Sequence, residues 1–349
     1  MRWPYLLRQN PLPGRLACRQ AVAMDLPGLA PPYSARRPVP QDVEPIFELV
    51  DAGDRHLLGR TDSTVGEIRE LMEMQRSPLG SDHWLIEREG WAVGWGLVMD
   101  EGSESRVDID VYVHPDIPHA DRAAVRGVLF NVLLDRVAER AGHGDSSELK
   151  VVAGCIVGDA EYELALAANG FVAKRRFSRM RIDLAPDRPF PAAPAGVELE
   201  PFDPAVDWEE WHSIFDSSFA DHWGHEQRSL EDFRASVEAM DEPELDRWRF
   251  ARVDGRRTGV CQASGRYADR GGGWILNLGV LREARGRGVG RDLLEHALAS
   301  YAADGRTWAG LGVDTENVSG ALRLYESVGM TPALQIDAYE RRVVAGRVK

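Results

Sequence analysis

Leu276-Asn277-Leu278-Gly279-Val280, followed by Leu281–Ala284 and Arg285-Gly286-Arg287-Gly288-Val289-Gly290, reads as a strand, a glycine-rich turn and a helix that starts at Arg291. The first turn of a helix carries N–H groups without intrahelical partners at the positive end of its dipole. Gly288 and Gly290 remove side chains, so that a phosphate can reach the backbone. Arg285 and Arg287 add charge-assisted donors. A pyrophosphate suits that combination. The turn is not the GxxxxGK[ST] phosphate loop. It also lies late in its half of the chain, whereas a dinucleotide fingerprint follows the first strand of a βαβ unit.

The same plan extends outward. The turn is preceded by strands near Arg249–Val253, Thr258–Ala263 and Trp274–Val280, and by a helix over Asp207–Phe215. After it, Leu293, Leu294, Ala297, Leu298 and Tyr301 share one helical face. A short helix, Val328-Gly329-Met330 and a closing strand come next. The first half echoes this order: a helix from Val43 to Val50, strands near Trp84–Glu87, Ala92–Met99 and Val107–Val113, a long helix, then Asn169-Gly170-Phe171 and a closing strand. Between the halves, Pro186–Gly196 (PDRPFPAAPAG) holds four prolines, which exclude a continuing helix or central strand. The boundaries expected are a disordered extension over 1–33, a first domain over 34–185, a linker over 186–196 and a second domain over 197–349. Alternating strands and helices in both halves predict two α/β (α+β) domains of one type.

Length agrees, since 349 residues suggest about two domains. No stretch approaches the roughly 20 apolar residues of a membrane span. A net charge of −14 argues against nucleic acid and anionic membranes as partners. Residues 201–250 carry 14 Asp+Glu against 4 Lys+Arg, most of that imbalance. Two readings stand: solvated helices, or an acidic mouth that draws in a protonated amine. Cys18, Cys155 and Cys261 are sparse, odd in number and outside any metal-binding spacing, which points to a reducing, cytoplasmic setting without a metal. Residues 1–24 contain four Arg and no acid, and Met24 is an alternative first residue.

Two spaced motifs carry a family resemblance. Arg285-x-x-Gly288-x-Gly290 after Leu278-Gly279-Val280 resembles the Q/R-x-x-G-x-G/A signature of the GCN5-related N-acetyltransferases (GNAT family). Val313–Tyr325 followed by Gly329-Met330 resembles that family's strand–Asn–helix–Tyr–Gly–Phe ending, with Met330 in the place of the Phe. The doubled layout is similar to that of mycothiol synthase. The resemblance implies two tandem GNAT-like domains, each a mixed, mostly antiparallel twisted sheet flanked by helices. It implies acetyl-CoA as cosubstrate, with its pantetheine arm on Leu278, Gly279 and Val280. Its pyrophosphate would lie on the turn Arg285, Gly286, Arg287, Gly288, Val289 and Gly290, with Asn317 beside the arm. Tyr325 would protonate the leaving thiolate, a feasible task for a positioned, desolvated phenol.

The first half departs from the pattern. Matching Arg126 to Arg291 sets Ala123 opposite Gly288 and Val125 opposite Gly290, and matching Gly170 to Gly329 sets Leu166 opposite Tyr325. A longer loop, His114–Asp121, holds two prolines. The first domain is therefore expected to have lost acetyl-CoA binding. On the acceptor side, Trp274–Val280 has no Asp or Glu to act as base. The candidates there are His222, whose free pKa lies near working pH, Asp221 to orient it or hold a cation, and Trp223 as a cation–π wall. The expected reaction is direct attack of a small cationic primary amine on acetyl-CoA. The rivals are a longer acyl group, a protein or peptide amine, or a non-catalytic CoA-thioester sensor or scaffold.

Overall fold

The computed structural model describes residues 23–346, apart from 101, 102, 104, 143–146, 224–226, 228, 239, 241, 242 and 317–319. Two compact units emerge. One contains the described residues up to Arg175 together with those from Ile336 onward, and the other is Arg176–Gln335.

In the first unit, β1 (Ala23–Met24), β2 (Tyr33–Arg36), β3 (His83–Arg88), β4 (Trp91–Met99), β5 (Arg106–Val113) and β6 (Glu148–Ile156) lie side by side. Only β5 and β6 run parallel. Helices α1 (Val43–Leu58), α2 (Val65–Met72) and α3 (Leu79–Asp82) precede β3, α4 (His119–Ala141) joins β5 to β6, and α5 (Ala160–Ala168) follows β6. Val43, Ile46, Leu49 and Val50 turn one stripe of α1 into the core with Trp95 and Leu97, the spacing a buried helix face requires. The helix stops at Gly59, whose φ of 69° closes its last turn through an N–H bond to Arg55 O. Thr64 and Glu67 form a reciprocal capping box on α2. The other sheet face is covered by Val125, Leu129 and Leu133 of α4.

The second unit repeats this. After β7 (Val172–Asp183) come β8 (Val197–Pro201), α6 (Trp208–Phe219), α7 (Leu230–Glu238), β9 (Arg249–Val253), β10 (Arg256–Ser264), β11 (Gly272–Val280), α8 (Val289–Ala303), β12 (Trp308–Asp314), α9 (Ala321–Ser327) and β13 (Thr331–Val344). Again one neighbouring pair, β11 and β12, is parallel. One sheet face packs on Val289, Leu293 and Leu298 of α8 and Tyr325 of α9. The other packs on an aromatic cluster of Trp208, Trp211, Phe215, Phe233 and Trp248. Each unit is thus a mixed, mostly antiparallel sheet between helices, the expected fold.

Three expectations change. The halves exchange their last strands: β7 lies antiparallel on β12 (Phe177↔Asp314), and β13 lies antiparallel on β6 (Ile336↔Ile156). Each exchanged strand covers what would otherwise be an unpaired parallel edge. The proline-rich segment 186–196 therefore lies inside the second unit, not between domains. Second, the extension is not wholly outside the fold, because Ala23 and Met24 pair with Arg36 and Ala35 and Leu26 is buried; residues 1–22, including Cys18, lie outside the described residues. Third, the segment after β5 is not a long loop. Pro118 caps α4, which starts at His119, as suits a residue that cannot continue a helix backwards.

Candidate functional site

A cleft of about 310 Å³ opens in the second unit, where β11 and β12 part. Their parallel ladder ends at Ile275↔Leu311, although β11 stays paired to β10 as far as Gly259↔Val280. The β10 register shifts between Gln262 and Ala263, so Leu276 is an extra residue in β11. Such a bulge bends the strand and re-aims the side chains beyond it. Past the bulge, Asn277–Val280 line the cleft with Gly288–Arg291, Asp314 and Tyr325.

The glycines of the turn answer to two different demands. Gly286 (φ 77°) and Gly288 (φ 83°) adopt left-handed backbone that other residues resist. Gly290 does not; there the issue is room, since a methyl group would lie 3.3 Å from Leu324 Cδ2 and 3.5 Å from Val280 Cγ2. The helix starts at Val289 with Gly288 as its N-cap, two residues earlier than the sequence suggested. Its first-turn residues Val289, Gly290 and Arg291 line the cleft, so its unbonded N–H groups belong to that wall. On the outer side, Pro194 of the proline-rich segment packs 3.2 Å from the position of a Gly288 methyl.

The arginines divide. Arg285 is a buckle: its Nε donates to Val280 O (3.0 Å) and its Nη2 to Ser218 O (3.2 Å), tying the end of β11 to α6. Arg287 is not part of the cleft lining. It reaches outward to Asp254 (2.8 Å), at the tip of the β9–β10 hairpin.

Tyr325 faces the cleft from α9 and is 6% exposed. Burial, with a smaller contribution from Cys261, pushes its phenol above the ordinary value, so it keeps its proton at neutral pH. Cys261 itself is buried and its thiol is pushed up to about 12. Gly320 (φ 78°) starts α9, and Met330 N–H donates to Tyr325 O at its end.

On the α6 side, Ser218, Phe219 and His222 line the cleft, and the His222 ring packs 4.5 Å from that of Phe219. Asp221 and Trp223 do not line it. Arg282 binds the exposed Asp221 carboxylate and holds it below the usual carboxylate range, and Trp223 packs against Phe177. Neither occupies the orienting or wall position expected. Asn317 lies outside the described residues. The acidic block is likewise spent elsewhere in part. Asp207 and Glu210 bind Arg257, and Glu244 binds Arg247 and Arg306. The carboxylate that lines the cleft is Asp314, from outside that block; its Oδ1 accepts from Glu316 N–H. Among the described residues no group of three His, Cys, Asp or Glu could hold a metal, and no helix is long and apolar enough to cross a membrane.

Among the lining residues to which the sequence reading gave no role are Asn277 and Asp314. Asn277 was visible as a polar residue in an otherwise apolar run, but its exposure to the cleft depends on the bulge.

Residues 208–330 match the acetyltransferase (GNAT) family. A mycothiol acetyltransferase of Thermobispora bispora is 36% identical over 183 residues, 50% of this chain and 60% of that protein. The mycothiol acetyltransferase of Thermomonospora curvata is 31% identical over 293 residues, 78% of this chain and 92% of that one. Among solved structures, a GCN5-related N-acetyltransferase from Sphaerobacter thermophilus superposes with a TM-score of 0.78 at 22% identity, over 92% of this chain and 99% of that one.

Proposed function

The chain belongs to the GNAT acetyltransferase family and is an acyltransferase, and from that premise we propose that it moves the acetyl group of acetyl-CoA to a small primary amine in the cleft of the second unit. The observation that carries this is the convergence on one cleft of the glycine turn, the parted strands and the buried Tyr325. The cleft fits the cosubstrate: Gly290 leaves the phosphate wall open where even a methyl would crowd Leu324, and β11 beyond Ile275 is released from β12. We assign the pantetheine arm to Leu278, Gly279 and Val280, and the pyrophosphate to the first-turn N–H groups of Val289 and Gly290 with Gly286 and Gly288 shaping the turn. Arg285 supports this wall from behind. Arg287 is free to join only by leaving Asp254.

Acetyl-CoA supplies an activated acetyl group. The amine nitrogen, once neutral, bonds to the acetyl carbon and the C–S bond breaks; nitrogen gives up one proton through His222 to solvent, from which Tyr325 regains the proton it passes to sulfur. Tyr325 is the proton source for sulfur, a role suited to a phenol that burial keeps protonated. His222, at the α6 mouth, is the titratable group placed to take the amine proton. Positioning in the cleft accounts for much of the rate. The mycothiol acetyltransferase relatives support a small-molecule acceptor, and Asp314 gives the cleft a carboxylate suited to a cation. The rival sensor reading is disfavoured by the protonated tyrosine in the cleft.

The test is release of CoA from acetyl-CoA with a panel of primary amines, comparing wild type with Tyr325→Phe. Turnover in wild type, reduced about 100-fold or more in the variant with acetyl-CoA affinity intact, supports the reading. Equal turnover removes Tyr325 as the acid, and absence of turnover with every amine removes the small-amine reading.

A further inference from the structure

Among the described residues, Asn277 is the amide side chain in the cleft lining, one residue past the Leu276 bulge and on the side of β11 that faces α6. Its neighbour Gly279 faces the same way, touching Ser218 and Phe219. Asn277 Nδ2 donates to Oε1 of Gln262, directly across on β10, at 2.6 Å. Gln262 is wholly buried, and its own Nε2 has no partner among the described residues. An amide has one acceptor oxygen and one NH2 group. With one N–H of Nδ2 given to Gln262, Asn277 Oδ1 is its acceptor for the cleft, and the second N–H of Nδ2 remains beside it. A buried amide such as Gln262 is costly when its donor is unmatched, so its retention at this position calls for a role other than packing.

We propose that Asn277 is the acceptor-binding residue of this cleft, taking an N–H of the incoming primary amine on Oδ1, and that Gln262 is a positioning residue that holds the amide in that orientation. This rests on the acyl-transfer reading above. It assigns the acceptor to the α6 side of β11, between Asn277 and the His222 mouth, and it selects for groups that donate hydrogen bonds. A carboxylate or carbonyl aligned with Oδ1 meets an oxygen. The first unit provides a natural control. There the residue opposite the matching strand position is Leu97, fully buried, so the fold accepts leucine where Gln262 stands.

The experiment uses the full chain, acetyl-CoA, and ethanolamine, glucosamine, serine and spermidine as probe amines, read as released CoA thiol. Asn277→Ala is expected to raise KM for every amine that turns over by about tenfold or more, with acetyl-CoA Kd unchanged. Gln262→Leu is expected to lower kcat/KM for the amine about tenfold while the unfolding midpoint stays level or rises, because an orphaned donor has gone. Gln262→Glu, which can still accept from Asn277 Nδ2, is expected to restore much of that loss. A merely structural Gln262 would instead lower the unfolding midpoint on Gln262→Leu, without a selective loss of amine affinity. Wild-type turnover with Asn277→Ala within twofold of it overturns the inference alone. No wild-type turnover on any probe overturns the acyl-transfer reading and the inference with it.

Discussion

At the strand position where the second unit carries Asn277, the first carries Asp110, and the two are put to opposite uses. The equivalence is fixed by pairing, since Gly94 faces Val113 as Gly259 faces Val280. Asp110 is buried and accepts from the Tyr112 hydroxyl of its own strand at 2.7 Å. Asn277 looks into a cleft. In the first unit the β5–β6 ladder ends at Ile109, and Asp110 follows at once; in the second the β11–β12 ladder ends at Ile275, and Leu276 is interposed. One inserted residue thus separates a closed polar contact from an open one. The long helices differ just as sharply. Gly94 packs against Val125 and Leu129, and Gly259 against Val289 and Leu293. That pairing sets Arg126, not Val125, at the place of Gly290, and Ala124, not Ala123, at that of Gly288. Arg126 and Arg122 bind Glu161, so the first unit meets its cations with its own carboxylate. Leu166 stands where Tyr325 does, since each carbonyl accepts from the residue five positions on, Phe171 and Met330. A doubled fold can keep its layers while a few substitutions and one bulge change what a matching strand position faces.

The largest effect is expected from writing the first unit's choice into the second. Gly290→Arg should weaken acetyl-CoA binding about 1,000-fold, roughly 4 kcal/mol, as measured by calorimetry, with a smaller loss of stability of about 1 kcal/mol from the crowding of Leu324. Binding within threefold of wild type would break the equivalence.

Next comes His83, buried in the first unit with its Nε2 donating to Ser77 O. Burial lowers its pKa from 6.5 to about 4. The unfolded chain gains this proton below 6.5 and the folded one not until about 4, so stability present above that window is lost as pH falls through it. The loss is about 3 kcal/mol. Denaturant unfolding across that range should show the slope, and His83→Gln should flatten it. An unchanged slope assigns the pH dependence elsewhere.

Leu166→Tyr should destabilise by about 2 kcal/mol through overpacking and confer no turnover on the first unit, because Leu166 is fully buried. A gain of turnover would contradict the comparison. The smallest effect belongs to Glu161→Gln, which removes the charge and one of the two acceptor oxygens of a bidentate Arg122 contact at 2.7 and 3.0 Å. Its partial exposure keeps the cost to about 1 kcal/mol, read as a shift of the urea midpoint. A loss of several kcal/mol would make this cluster a keystone of the first unit.

Much of the fold and site was legible in the sequence. The strand, the turn from Arg285 to Gly290, the spacing to Tyr325 and the loss of both glycines and the tyrosine in the first half follow from local residue types. The strand exchange was not legible, because β7 and β13 read as ordinary closing strands and pairing partners are set by tertiary packing. Nor was the bulge at Leu276, which exists only relative to the Gln262–Ala263 register. The one-residue slip at Arg126 arose because the helix of the first half starts at His119, where Pro115 and Pro118 read as loop. Asp221 and Arg287 pointed to substrate and phosphate by type, yet each has an ion-pair partner distant in sequence, Arg282 and Asp254.

The central claim is that a doubled fold holds a single cosubstrate site. Calorimetric titration of the full chain with acetyl-CoA tests it most directly. One molecule bound per chain is the predicted result; two bound per chain, or one whose binding survives Gly290→Arg, would contradict it.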